Sequence, residues 1–235
     1  MKKGLICILI CLFVFSPLVN AEEEKLDLAA NAKSAILIEA STGEILFEKE
    51  MHERYAPASM TKLMSMLLII EATENNNLEW DEKIKVSANA ASMGGSQIFL
   101  ETNEIMTVDD LFKGIAVGSA NDATVALAER IGGTEEHFVK LMNDRARELG
   151  LKNTNFKNSS GLDAANHFSS AYDMAMIAKE LVKHEKVIEY TSIYEDYLRQ
   201  DQDEKFWLVN TNKVVCTFYY KKINISFGML KGCWV

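Results

Sequence analysis

The chain has little of what small secreted folds are usually built with. It has four cysteines, two prolines and four histidines in 235 residues. Two of the cysteines, Cys7 and Cys11, lie in the apolar N-terminal run, and the other two, Cys216 and Cys233, fall in the last 20 residues. That spacing excludes a disulfide framework, so a hydrophobic core must hold the fold. His52, His137, His167 and His184 are scattered, without H-x-x-H or H-E-x-x-H spacing, and read as surface or structural residues rather than zinc ligands. Gly94-Gly95 is followed by no G-K-[ST], which excludes a phosphate loop and leaves a turn. Positive charge is also short. Acidic residues outnumber basic ones 34 to 25, which argues against a nucleic-acid partner. There is no internal repeat, low-complexity tract or interdomain linker.

What is present begins with an export signal. Met1-Lys2-Lys3 precedes an apolar run from Leu5 to Phe15, then Pro17 and the small-residue site Val19-Asn20-Ala21. The run is short for a membrane span, so residues 1–21 read as a secretory signal peptide, with an uncleaved anchor as the other reading. Cleavage after Ala21 leaves 23 basic and 34 acidic residues, a net charge of −11. The remaining 214 residues suffice for one sizeable core.

Periodicity then orders the chain. Residues 34–40, Ser41-Thr42-Gly43 and residues 44–48 read as strand, turn and strand. Pro57 presets φ just before a segment, Met60 to Thr73, that is apolar almost all round and so belongs in the interior. Asn75-Asn76-Asn77 ends it, and Met93 to Ser96 is a loop. Thr107-Val-Asp-Asp110 has the form of a capping box opening a helix through Val117. Gly118-Ser119 breaks it, and a further helix runs from Asn121 to Gly132-Gly133. Phe138, Leu141, Met142 and Leu149 share a face of a helix over 134–149, with Gly150 as its C-cap. Residues 153–166 are a turn-rich loop. Ser170 to Asp173 caps a helix to about His184, and Phe206 to Asn210 reads as a late strand. Met64, Met66 and the methionines from Met93 to Met106 read as core filler. The pattern predicts an α+β domain, an antiparallel sheet with a helical cluster.

Two short motifs carry chemical interest. Ser59 and Lys62 stand three apart at the mouth of the buried helix, on one face. A serine becomes a nucleophile when a base takes its proton, and a lysine can be that base when burial and a helix N-terminus lower its pKa. Chance expects about one S-x-x-K from 15 serines and 20 lysines, and one is found, so a snorkelling lysine is an equal reading. Ser119-Ala120-Asn121 sits at a helix break, where a hydroxyl can relay a proton and a carboxamide can hold an amide. The same residues also suit an ordinary N-cap.

Together, S-x-x-K and S-x-N in this order resemble the serine-type D-alanyl-D-alanine carboxypeptidases, the low-molecular-mass penicillin-binding proteins, and most of all their sporulation-associated type. The likeness runs through AILIEASTGEILFEKEMHERYAPASMTKLM, ASMGGSQIFLE, DLFKGIAVGSANDATVALAE, LGLKNTNFKNSSGLD and FWLVNTNK, over about residues 26–213. It implies a penicillin-binding/β-lactamase-like domain. It also implies Ser59 as acylated nucleophile, Lys62 as general base, Ser119 as proton relay and Asn121 as substrate contact, with the Ser59 N–H as half of an oxyanion hole. The implied substrate is the D-Ala-D-Ala end of a peptidoglycan stem peptide, met outside the cytoplasmic membrane, with β-lactams as acylating inhibitors and no cofactor or metal. The glutamate that class A β-lactamases use to deacylate would fall in Lys152 to Lys157, which holds no acid, so a carboxypeptidase is expected.

The third motif of that family, K-T-G, is missing. After Lys213 the chain reads VVCTFYYKKINISFGMLKGCWV, and Lys231-Gly232 is its nearest echo. Residues 214–235 are read as a tail that does not resemble the family, from a truncation or frameshift near Lys213. The domain is then expected to be incomplete at its C-terminus, without the membrane-anchoring helix, and impaired in activity. A non-catalytic peptidoglycan-binding module or an inactive product is the alternative.

Overall fold

The computed structural model describes residues 28–200 and 205–212. The expected signal peptide, the tail 214–235, and Cys216 and Cys233 with it lie outside the described residues. Residues 28–30 belong to a separate N-terminal unit, Met1–Ala30, and the strands and helices of the described residues lie in the second unit, which begins at Asn31.

The strand–turn–strand pattern forms as expected. Strands β1 (Ala35–Ile38) and β2 (Ile45–Lys49) pair antiparallel, with Leu37 opposite Phe47. Their turn is tied by the Glu39 carboxylate, which accepts from the Thr42 amide and from the Ser41 and Thr42 hydroxyls. Those donors hold the carboxyl at a pKa of about 2. Gly43, at φ +81°, supplies the left-handed residue that the turn needs.

A 3₁₀ turn, Ala58–Thr61, leads into helix α1 (Lys62–Glu74). Nine of its 13 residues are buried, on every side, as its all-round apolar sequence requires. Short strands β3 (Lys83–Lys85) and β4 (Ile105–Thr107) pair antiparallel and enclose a one-turn helix, α2 (Ala88–Ala91), capped by the Ser87 hydroxyl. Then come α3 (Val108–Gly118), α4 (Asn121–Gly132), α5 (Glu135–Glu148), α6 (Ala171–Leu181) and α7 (Glu185–Thr191). Thr107, Thr134 and Ser170 each accept the amide three residues on, so the N-caps expected of Thr107 and Ser170 form and Thr134 caps its helix instead of opening it. Gly150 closes α5 at φ +73°, and the Leu151 amide reaches back to the Ala146 carbonyl.

Helix α1 is the axis of the core, packed by α3, α4, α5 and α6. Met64, Leu67 and Ile69 on α1 are fully buried with Phe112, Phe138 and Phe156. Met64, Met66 and Met106 fill core positions as expected. Phe112 meets Trp80 and Tyr190 edge-on, with ring centroids 5.4 and 5.1 Å away.

The sequence did not signal β3, α2 or β4, and two further features depart from expectation. The helix from Ser170 stops at Leu181 instead of His184, and α7 begins separately after it. His184 stands at the N-cap position without a side-chain capping bond, and its Nδ1 lies 2.7 Å from Glu74 at the far end of α1. The late strand, β6 (Phe206–Val209), pairs antiparallel with β5 (Glu195–Leu198), a strand the sequence did not signal. The Lys113–Asp196 ion pair, 2.9 Å, fixes β5 to α3. Beyond β6, the Thr211 amide donates to the Val117 carbonyl, and Leu208 packs so close to Gly118 that a Cβ there would sit 2.8 Å from it. The end of α3, and with it Ser119, is thereby held by β6.

Candidate active site

Ser59 lies on the 3₁₀ turn and is exposed, whereas Lys62 at the first position of α1 is 3 % exposed. A 3₁₀ turn has three residues per turn, so positions i and i+3 eclipse, aligning the two side chains more closely than an α-helix does. Lys62 Nζ lies 3.3 Å from Ser59 Oγ and donates to the Ser160 carbonyl at 2.7 Å. Burial pulls the Lys62 ammonium from its usual 10.5 down to about 7, with the Asp122 carboxylate pulling the other way. Near neutrality a large share of Lys62 is therefore free amine, with a lone pair to offer the Ser59 hydroxyl.

The residue before Ser59 is strained. Ala58 sits at φ +47°, a region that non-glycine residues seldom occupy. Gly161 holds it there: at φ +89°, a Cβ on Gly161 would lie 1.9 Å from the Ala58 carbonyl oxygen. The 159–161 segment thus supplies the carbonyl that takes Lys62 and the close contact that seats Ser59. A cleft of about 330 Å³ opens beside it, lined by Pro57, Ala58, Gly161, Leu162, Asp163 and His167 among others. His167, one of the four histidines read as structural, is buried against the Thr61 hydroxyl at 2.9 Å, and its Nδ1 accepts the Lys157 amide. Burial lowers its pKa.

Ser119 and Asn121 occupy the break between α3 and α4, as the sequence predicts. Ser119 takes the left-handed conformation, φ 58° and ψ 35°. Asn121 is buried, with its amide on the Ser96 carbonyl (2.7 Å) and its Nδ2 on the Gly94 carbonyl (2.7 Å). Its Oδ1 is buried and has no hydrogen-bond partner among the described residues. An oriented carboxamide with a spare acceptor is equipped to take a ligand N–H. Hydrogen bonding joins Ser59 to Lys62, and neither of these to Ser119 or Asn121 among the described residues. Leu162 of the cleft lies within 3.8 Å of where a Gly95 Cβ would stand, and the Asp122 carboxylate, next to Asn121 in the chain, acts on Lys62.

Sequence reading missed Asp122, Ser160 and Gly161. Asp122 reads as an ordinary acid in a helix's first turn. Ser160 acts through a backbone carbonyl, which leaves no residue signal. The zone Lys152 to Lys157 is tied to Asp173 through the Asn153 amide and the Thr154 hydroxyl. Among the described residues, no group of three or more His, Cys, Asp or Glu could hold a metal ion, and no helix is long and apolar enough to cross a membrane.

Known proteins resemble the chain in sequence and in fold. D-alanyl-D-alanine carboxypeptidase DacF of Bacillus subtilis (strain 168) is 54% identical over 220 residues, covering 92% of this chain and 57% of that protein. Penicillin binding protein 5 from Haemophilus influenzae has a similar structure, with a TM-score of 0.75 and 32% identity over 83% of this chain and 56% of that one. Penicillin-Binding Protein D2 from Listeria monocytogenes, solved in its ampicillin-bound form, gives a TM-score of 0.68 and 31% identity over 78% of this chain and 74% of that one. The chain spans about half the length of the curated relatives it matches. The mixed helices and antiparallel strands are those of the penicillin-binding, β-lactamase-like fold. A family model described as D-alanyl-D-alanine carboxypeptidase matches residues 19–228, and the chain belongs to that family.

Proposed function

We propose that the chain is a serine-type carboxypeptidase that removes the terminal D-Ala from peptidoglycan stem peptides through an acyl-enzyme. The observation that carries this reading is a buried lysine amine, with a pKa near 7, lying 3.3 Å from an exposed serine hydroxyl. Ser59 Oγ attacks the carbonyl of the penultimate D-Ala, and its proton passes to Lys62 Nζ. The Ser59 N–H steadies the oxyanion. Ser119 relays the proton to the departing amine, and Asn121 Oδ1 accepts a substrate N–H. The C–N bond breaks, D-Ala leaves, and water hydrolyses the ester on Ser59. β-Lactams acylate the same hydroxyl, a reading supported by the ampicillin-bound relative. They leave slowly, because Lys152 to Lys157 offers no acid to activate a deacylating water. Residues 1–21 direct export, so the substrate is met outside the cytoplasm.

The test incubates the full chain with a fluorescent penicillin and with a peptide ending in D-Ala-D-Ala. Covalent labelling and D-Ala release, both lost in Ser59→Ala, are expected. Labelling that survives Ser59→Ala overturns the reading. The competing outcome is binding of the peptide without turnover. Peptide binding unchanged in Lys62→Ala, with no D-Ala released by the wild type, selects it.

A further inference from the structure

Asp122 takes no part in the Ser59–Lys62 hydrogen bond, yet it is 1 % exposed. A carboxylate buried so deeply is costly unless its oxygens find donors. One oxygen accepts the amides of Ile98 (3.2 Å) and Ala123 (2.8 Å), and the other those of Ile98 (3.2 Å) and Leu100 (3.0 Å). Ile98 and Leu100 belong to the segment whose Ser96 and Gly94 carbonyls hold Asn121. Arg199 grips the same segment from its carbonyl side, donating to Ile98 (3.0 Å) and Phe99 (3.1 Å). Neighbours at the start of α4, Asn121 and Asp122 thus fasten one wall of the site.

We propose that Asp122 is a positioning residue of the acylation step, whose carboxylate both fixes the 94–100 wall that aims Asn121 and serves as counter-charge to Lys62 when that amine takes the Ser59 proton. The proposal rests on reading Lys62 as the base. Proton transfer from Ser59 creates an ammonium in a buried place, and the Asp122 carboxylate, which acts on Lys62 to raise its pKa, offsets part of that penalty. Burial and Asp122 act on Lys62 in opposite directions. Titratable groups on the surrounding elements have partners other than Lys62: Arg145 pairs with Glu71, and Asp173 accepts the Asn153 amide and the Thr154 hydroxyl. Glu135 accepts the Ser159 amide and hydroxyl, His167 sits on the Thr61 hydroxyl, and Asp163 and Lys157 act on His167. Neutralising Asp122 therefore makes Lys62 a weaker base, besides loosening the wall.

The experiment labels lysine Cε with ¹³C in the full chain and follows the Lys62 resonance against pH by NMR, alongside acylation by a fluorescent penicillin. Wild type should show an inflection near 7. Asp122→Asn should lower that inflection, the effect of removing an opposite charge. Asp122→Glu keeps the charge but displaces the cradle, so acylation should slow while the inflection stays. Arg199→Gln loosens the same wall from its other side and should also slow acylation without moving the inflection. An unmoved inflection in Asp122→Asn overturns the counter-charge role, as does an equal shift in Arg199→Gln. If Asp122→Asn loses its near-UV circular dichroism, the decision falls to Asp122→Glu, where a lowered inflection or an unslowed acylation overturns the proposal, and loss of fold in both variants overturns it by assigning Asp122 a purely structural role. A wild type that resists acylation sinks the reading of Lys62 as base, while the shift in Asp122→Asn would still register the charge coupling.

Discussion

Replacing Lys62 by Met should cost the acylation reaction its base and make the protein more stable. The folded amine titrates at about 7 and the unfolded one at its ordinary 10.5. Between those values the unfolded chain holds a proton that the folded chain has released, so wild-type stability rises with pH across this window and is lowest beneath it. Relative to an unshifted lysine, the fold loses about 4 kcal/mol at pH 7, about 3 at pH 8 and about 1 at pH 10. Met fills a similar volume without a charge. It also leaves the Ser160 carbonyl without its 2.7 Å donor, at a cost of about 1 kcal/mol. The net gain should be about 3 kcal/mol at pH 7, falling to nothing near pH 10. Urea melts of both proteins at pH 7, 8, 9 and 10 read this difference directly. A Met variant less stable than wild type at pH 7, or a difference that does not change with pH, would refute the reasoning.

Other perturbations act through the contacts of the site and the core. Gly161→Ala places a Cβ 1.9 Å from the Ala58 carbonyl oxygen at a φ of +89°, so it should cost about 2 kcal/mol or more in urea melts and slow penicillin acylation, since Ala58 precedes Ser59. Phe112→Ala empties the fully buried position beneath Trp80 and Tyr190 and should cost about 3–5 kcal/mol by the same measurement, with Lys62 chemistry unaffected. Thr134→Ala removes the N-cap acceptor of α5 and should cost about 1 kcal/mol, while Thr134→Ser restores it.

Much of the fold can be read from the sequence because its strongest signals are local. The hairpin over 35–49 follows from apolar runs about Ser41-Thr42-Gly43, and α1 from a segment apolar on every side. The break at Gly118-Ser119 and the caps at Thr107 and Ser170 need only their neighbours. The missed elements are short. Strands β3 and β5 have three and four residues, too few for a period to show. The turn between α6 and α7 carries no Gly or Pro, and its place depends on His184 meeting Glu74, 110 residues away. Within the candidate site, spacing points to Ser59 and Lys62 but on an α-helix, whereas a 3₁₀ turn aligns them. The acceptor for Lys62 is a backbone carbonyl 98 residues distant, and Asp122 exerts its effect across a helix contact. Neither leaves a mark in the neighbouring sequence.

The central claim is that Ser59 is acylated by virtue of the free amine of Lys62. Mass spectrometry of the full chain with a penicillin, timed across pH 5 to 9 and followed by peptide mapping, measures this most directly. The expected result is one adduct per chain on the Ser59 peptide, with an acylation rate that climbs through an inflection at about 7 and then levels. An adduct on another residue, or a rate on Ser59 that ignores pH across that range, would contradict it.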